Sequence, residues 1–106
     1  MWIKTEILFA NLYDNNQIVS NQEWINFIDN IVTPFFPQGL TIRESFGQMF
    51  DNIQIRKQKN YELMIVHENN KKNSNNLLTI INTYKKQFSG VQVFMFKTKG
   101  TSTFFN

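Results

Sequence analysis

The chain contains no cysteine among its 106 residues and only one histidine. Disulfide bonds, thiolate catalysis and Cys-ligated zinc are therefore excluded, and so is a metal site built from several histidines. We predict neither a metal nor a cofactor. Proline and glycine are also scarce, with two and four residues. Both prolines and one glycine fall within residues 33–41, which we interpret as the corner where a helix ends and a strand begins.

Long apolar runs are missing as well. The N-terminus lacks a basic region followed by an apolar run, and no window approaches the ~18 apolar residues of a membrane span. We therefore expect a cytoplasmic protein. The net charge of +3 comes from scattered lysines, which predict a solvated surface rather than an anion-binding patch. A hydrophobic content of 42% with eleven Phe suffices for one domain over residues 1–106.

The first half of the chain predicts a strand, a turn and a helix. Residues 2–12 alternate between two faces, as a strand does. Ser20 and Glu23 have the spacing of a capping box, and an apolar stripe at helical spacing follows it. The helix should end at Thr33, because Pro34 disfavours helical geometry in the residue before it. Gly39 can supply a positive φ before the next strand.

The second half predicts strands over residues 40–46, 61–67 and 91–96. It also predicts a helix with its N-cap at Asn73 or Ser74 and an apolar stripe from Leu77 to Phe88. The polar segment 51–60 is interpreted as a loop or a hairpin with frayed ends. The resulting order β-α-β-β-α-β predicts a ferredoxin-like α+β fold, an antiparallel sheet with two helices on one face.

Alternation assigns apolar residues to both faces of that sheet. The side facing the helices receives Ile3, Ile7, Phe9, Ile42, Leu63, Ile65, Val91, Val93 and Met95. The open side receives Leu8, Ala10, Met64, Val66, Phe94 and Phe96. Since a monomer rarely exposes such a patch, we predict a homodimer that pairs through the open side.

Two titratable residues are candidates for acid/base chemistry. His67 lies at a strand end, where a structural or solvated role is favoured over that of a general base. Glu44 has the parity of the core, so it is either paired there with a cation or turned outward by a bulge. No glycine-rich phosphate loop, nucleophile elbow or paired-carboxylate spacing is present. The hypothesis is a non-enzymatic binding protein, and the alternative is an enzyme of the dimeric ferredoxin-like barrel type using Glu44 or His67.

The ligand hypothesis uses polar contacts from Arg43, Gln48 and Arg56, with Phe94 and Phe96 as apolar walls. Small anionic compounds and nucleotides are the candidate ligands, and a phage-type sequestering protein is one hypothesis for the role. RNA binding is disfavoured by a comparison with RNA-recognition motifs, which share this order of elements. The aromatic residue of the first strand lies one position away from theirs, and the third strand lacks their stacking aromatics.

The sequence also resembles a known family. Glu23-Trp24, the run Val-Thr-Pro-Phe-Phe-Pro-Gln-Gly-Leu-Thr at residues 32–41, Glu44 and Gly47-Gln48 are similar to an uncharacterised family of small bacterial proteins, a domain of unknown function. The resemblance spans most of the chain, supports the fold and supplies no reaction. Family members often carry a secretion or lipoprotein signal, which this sequence lacks, and a Trp where this chain has Met49. An acidic residue that the family carries is missing from residues 56–60, which implies that any activity of that run is lost or changed.

Overall fold

The computed structural model describes residues 1–105, and its architecture is α+β. The elements in chain order are β1 (Trp2–Ala10), β2 (Leu12–Tyr13), β3 (Gln17–Ile18), α1 (Asn21–Phe27), a π-helical stretch (Ile28–Val32), α2 (Thr33–Phe35), β4 (Thr41–Phe50), β5 (Ile55–Glu68), α3 (Lys71–Gln87) and β6 (Val93–Gly100). The four long strands form one antiparallel sheet in the order β4-β5-β1-β6, and β2 pairs with β3 in a small separate hairpin. The predicted mixed fold with an antiparallel sheet is therefore confirmed.

The first helix starts where the sequence predicts. The Ser20 hydroxyl accepts a hydrogen bond from the Glu23 backbone N–H at 3.1 Å, and the Glu23 carboxylate accepts one from the Ser20 N–H at 3.0 Å. This reciprocal pair is the capping box, which satisfies two backbone donors that a helix start leaves free.

The predicted end of that helix at Thr33 is wrong. Thr33 has helical angles of φ −56° and ψ −40°, and the helical path continues to Phe35. The Thr33 N–H donates to the Ile28 carbonyl, five residues back, so the backbone widens into a π-helical turn just before Pro34. Pro34 then lies in the first turn of α2, where its missing N–H costs little.

The segment 51–60, interpreted as a loop or a hairpin with frayed ends, belongs to a hairpin, and most of it is strand. β4 and β5 stay paired from Thr41 with Met64 out to Phe50 with Ile55. The pairing of β1 with β5 ends at Ala10 with Asn60, so residues 46–59 continue beyond the four-stranded sheet as a two-stranded ribbon. We call this ribbon the hairpin arm. The molecule measures 48 × 28 × 27 Å.

The core fills the space between the sheet and the helices. Its centre is aromatic: the Trp24 ring stacks on Tyr61 with centroids 4.9 Å apart, and Phe9 packs against Tyr84 at 4.6 Å. The buried strand residues confirm the alternation of β1, since its odd-numbered residues Ile3, Thr5, Ile7 and Phe9 are all buried.

Two face assignments need correction. Ala10, predicted on the open side, is buried. Its side chain is small, and its backbone has a neighbour on each side: it pairs with Asn60 and donates its N–H to the Gln92 carbonyl at 2.9 Å. Ile42, predicted in the core, shares its face with the core residue Leu63 but stays partly exposed. Its strand, β4, is the edge of the sheet and has a neighbour on one side only.

Candidate functional site

One side of the sheet carries exposed apolar residues. Strand register groups them in rows: Arg43, Glu62, Leu8 and Phe94 lie side by side, and Thr41, Met64, Glu6 and Phe96 form the next row. Phe94 and Phe96 are 61% and 55% exposed. We call this side, with Val66 in the following row, the open face. Half-buried Leu8 lies beside Phe94 in its row, whereas Glu6 stands between half-buried Met64 and Phe96 in the next.

A charged cluster crosses the open face beside this surface. The Arg43 Nε donates to the Glu62 Oε1 at 3.0 Å, and an Arg43 Nη lies 3.8 Å from the Glu6 Oε1. The pKa of the Glu62 carboxyl group lies below its ordinary value because the Ser45 hydroxyl and the Arg43 guanidinium face it, while partial burial opposes them. Arg43 is therefore held between two carboxylates, and an anionic ligand would compete with them.

Arg56, Gln48 and Phe94 surround two adjoining clefts. Gln48 and Arg56 project to opposite sides of the hairpin arm by register, yet both line a cleft of about 300 Å³. Phe94 lines a second cleft of about 460 Å³, and both clefts include Gln58 and Asn60.

Arg43 and Phe96 line neither of these clefts, so the structure gathers only part of the predicted set. Gln58 and Asn60 were not among the predicted site residues, because their polar segment fitted a loop as well as a hairpin. Their alternation with Arg56 and Glu62, as in a strand, is the signal that could have identified them.

Arg56 is engaged at the tip of the arm. Its Nε forms a short ion pair with the Asp51 carboxylate. The same carboxylate accepts the backbone N–H groups of Ile53 and Gln54 at 3.0 and 2.9 Å. The pKa of Asp51 lies below its ordinary value, chiefly through the Gln54 N–H and next through Arg56. Arg56 therefore helps to close the turn of the arm.

His67 is 5% exposed, and both of its ring nitrogens are engaged. Its Nδ1 lies 2.8 Å from the Glu68 carbonyl, and its Nε2 lies 2.7 Å from the buried Thr5 hydroxyl. Because a carbonyl only accepts, Nδ1 carries a proton and donates to the Glu68 carbonyl, while Nε2 and the Thr5 hydroxyl form the second hydrogen bond. The histidine joins β1 to β5, and a general-base role would have to break this arrangement.

Glu44 belongs to a polar network at the start of α1. It stands opposite Tyr61 on the face toward the helices, without a bulge in the β4–β5 register, and its side chain is about half exposed. Its carboxylate lies 3.2 Å from the Lys59 Nζ, which donates to the Asn21 side chain at 2.9 Å. The Tyr61 hydroxyl donates to the Val19 carbonyl at 2.7 Å, and burial raises the pKa of Tyr61. This network fixes the helix start to the sheet.

The corner of residues 35–39 borders a separate cleft of about 490 Å³, together with Trp2, Glu68 and Lys72. His67 lies against it with its ring centroid 5.9 Å from that of Phe36. The sequence pointed to the corner but not to the cleft, because Trp2 and Lys72 are distant along the chain.

Two kinds of structural feature are absent from residues 1–105. No three His, Asp or Glu side chains in that range approach closely enough to hold a metal ion. None of the helices described there has the length and hydropathy needed to cross a membrane.

A family model described as a protein of unknown function, DUF3574, matches residues 4–104. The chain belongs to the DUF3574 family. The predicted membership in a domain of unknown function is therefore confirmed, whereas the bacterial origin and the motif stay predictions. A comparison of this DUF3574 member with curated protein sequences gives no match.

Solved structures share the fold. A phage SAM lyase in complex with S-methyl-5′-thioadenosine is similar with a TM-score of 0.64 and 8% identity, over 92% of this chain and 81% of the lyase. The de novo designed protein Foldit4 is similar with a TM-score of 0.58 and 11% identity, over 95% and 100% of the two chains. At these identities the similarity shows the fold alone, and one backbone shape serves both an enzyme and a designed protein.

Proposed function

We propose that this DUF3574 member is a small non-enzymatic binding protein of ferredoxin-like architecture, which forms a homodimer through its open face and holds a small ligand beside it. The architecture is supported by the sheet order, in which the first and third long strands are central and the second and fourth are the edges. The proposal assumes a cytoplasmic protein, which fractionation of the producing cells tests.

The observation that carries the dimer is the exposure of Phe94 and Phe96 on β6 and of Val66 on β5, all on the side of the sheet away from the helices. Exposed apolar side chains grouped on one face commonly mark an interaction site. Removing it from water is worth ~25 cal/mol per Å², which offsets the cost of association when enough area is covered. A second copy of the chain is the simplest partner for this face, because it needs no other gene product.

The ligand is proposed to be a small anionic compound with a planar apolar part, such as a nucleotide. Phe94 and Phe96 offer apolar walls, and Arg43 offers a donor in the same row of the open face as Phe94. Arg56 and the amide side chains of the adjoining clefts offer further donors. The phage lyase contains a nucleoside derivative on a similar backbone, so a fold of this kind can bind one. A phage-type protein that sequesters such a compound fits this description.

Native mass spectrometry of the protein purified from its host tests stoichiometry and ligand together. We expect a mass of two chains plus a retained small molecule. Arg43→Gln should lose the molecule or bind it at least ~10-fold more weakly, the scale of a charge-assisted hydrogen bond. Lys71→Gln, which changes an exposed lysine on α3, is the matched control and should retain it.

A monomer at tens of micromolar would contradict the dimer. Conversion of the retained molecule by the wild type, lost in Glu44→Gln, would instead identify an enzyme.

A further inference from the structure

The hairpin arm has an apolar side of its own. Register places Phe46, Phe50 and Ile55 on one side of the ribbon, and they are 80%, 64% and 58% exposed. Ile53 in the connecting turn is also exposed. A two-stranded ribbon is marginally stable in water unless a third layer covers it. We call the side formed by Phe46, Phe50 and Ile55 the arm stripe.

We propose that the arm stripe of one copy lies on the open face of a second copy, so that two subunits clasp each other by their arms. The inference rests on the homodimer proposed above and names the surface that meets the open face.

The arm stripe that covers an open face comes from a second copy, because the arm cannot reach the open face of its own chain. Residues 46–59 continue β4 and β5 without a break in pairing, so the arm stripe lies on the same side of the strands as Glu44, toward the helices and away from the open face. Its apolar side chains can therefore reach an open face only on another molecule. One chain supplies both surfaces, and a two-fold axis makes the contact twice.

The sizes of the surfaces match a stable dimer. Phe46, Phe50, Phe94 and Phe96 are each at least 55% exposed, and an aromatic side chain can bury about 150–250 Å². These four residues alone supply roughly half of the ~800 Å² per partner in a standard interface. Either surface alone supplies less.

Charge is also compatible with the contact. Lys57 shares the side of the arm stripe and has no carboxylate within 4 Å among residues 1–105. Among residues 1–105, the cationic neighbours of Glu6 on the open face are the Lys4 Nζ at 3.6 Å and the Arg43 Nη at 3.8 Å. A basic side chain that arrives with the arm stripe would meet this carboxylate.

Subunit complementation tests the contact. Phe50→Glu damages the arm stripe, and Phe94→Lys damages the open face. Each variant alone should dissociate at least ~10-fold more readily than the wild type in sedimentation, because a buried unpaired charge enters both contacts of its dimer. A mixture of the two variants should associate more tightly than either alone, because one of its two contacts is entirely wild type.

Leu78→Glu is the matched control, since Leu78 is 52% exposed on α3 and belongs to neither surface. It should associate as the wild type does. All three changed residues are exposed, so circular dichroism should show unchanged folding.

The outcomes separate the inference from the proposed function. If Phe94→Lys dissociates and Phe50→Glu does not, the open-face dimer stands and the arm contact is overturned. Failure of the mixture to exceed either variant also overturns the arm contact. A monomeric wild type overturns both proposals.

Discussion

Gly39 adopts a φ of +152° in the corner between α2 and β4, and a Cβ added there would meet nothing within 4 Å. Gly39→Val should lower the free energy of unfolding by about 1–3 kcal/mol through backbone strain alone. Urea denaturation measures the loss. Gly100→Val is the matched control, because its Cβ also meets open space but its φ is not in the positive region. Equal stability of the two variants would contradict the strain at Gly39.

Two buried phenols predict a loss of stability at alkaline pH. The Tyr84 hydroxyl donates to the Ala10 carbonyl at 3.0 Å, and burial raises the pKa of both Tyr84 and Tyr61. Between the unfolded pKa of about 10 and the raised folded values, the folded state binds more protons than the unfolded state. The stabilising contribution is therefore fully present below about pH 10 and is lost as the pH rises above it.

Urea denaturation at about pH 8 and about pH 10.5 measures this loss. Tyr84→Phe should show a shallower fall of the unfolding free energy with pH than the wild type. Identical slopes in the two proteins would contradict the role of Tyr84.

Local residue chemistry was predictable from the sequence, and distant partners were not. The Ser20–Glu23 capping box was predicted because its partners are three residues apart. The partner of His67 is Thr5, which is 62 residues away and whose contact depends on the pairing of β1 with β5. Spacing along the chain carries no information about such a pair.

At the scale of elements, the errors arise where the local sequence pattern fits more than one backbone conformation. The rule that proline ends a helix one residue earlier assumes a regular α-helix, and the π-helical stretch (Ile28–Val32) removes that assumption. The polar composition of residues 51–60 fitted a loop as well as a hairpin, so the full length of the hairpin arm was not predicted. The four long strands and two helical regions were found where apolar periodicity was strong.

The turn of the hairpin arm is predicted to depend on Asp51. Asp51→Ala removes the acceptor of the Ile53 and Gln54 N–H groups and the partner of Arg56. Amide hydrogen exchange should accelerate around residues 50–56 while the core amides stay protected. Uniform acceleration through the sheet would show that the arm and the core unfold together.

The same contacts give the arm a pH dependence. Because the pKa of Asp51 is lowered in the folded state, its stabilising contribution is present above the ordinary carboxyl pKa of about 4. It is lost as the pH falls through the lowered folded value. At that pH the amide hydrogen exchange rates of residues 50–56 in the wild type should approach those of the Asp51→Ala variant.

At the scale of the whole molecule, the arm should be dispensable for folding. The residues of the buried core lie outside residues 46–59. Replacing residues 47–58 by Asn-Gly would join Phe46 to its partner Lys59 through a two-residue hairpin turn. We expect a cooperative thermal transition close to that of the wild type, together with loss of self-association in sedimentation. A shortened chain that fails to fold would contradict the independence of the core.

The position of β1 in the sheet has a consequence for biosynthesis. β1 is translated first of the four long strands and β6 last, yet they are neighbours. Until β6 leaves the ribosome, β1 can pair only with β5, and one row of its N–H and C=O groups remains unpaired. That row is a template for strands of other nascent chains. A ribosome that stalls before Val93 therefore releases a product in which one edge of β1 is unpaired and open to strands of other chains. Complete translation pairs that edge with β6 and so protects this protein from aggregation.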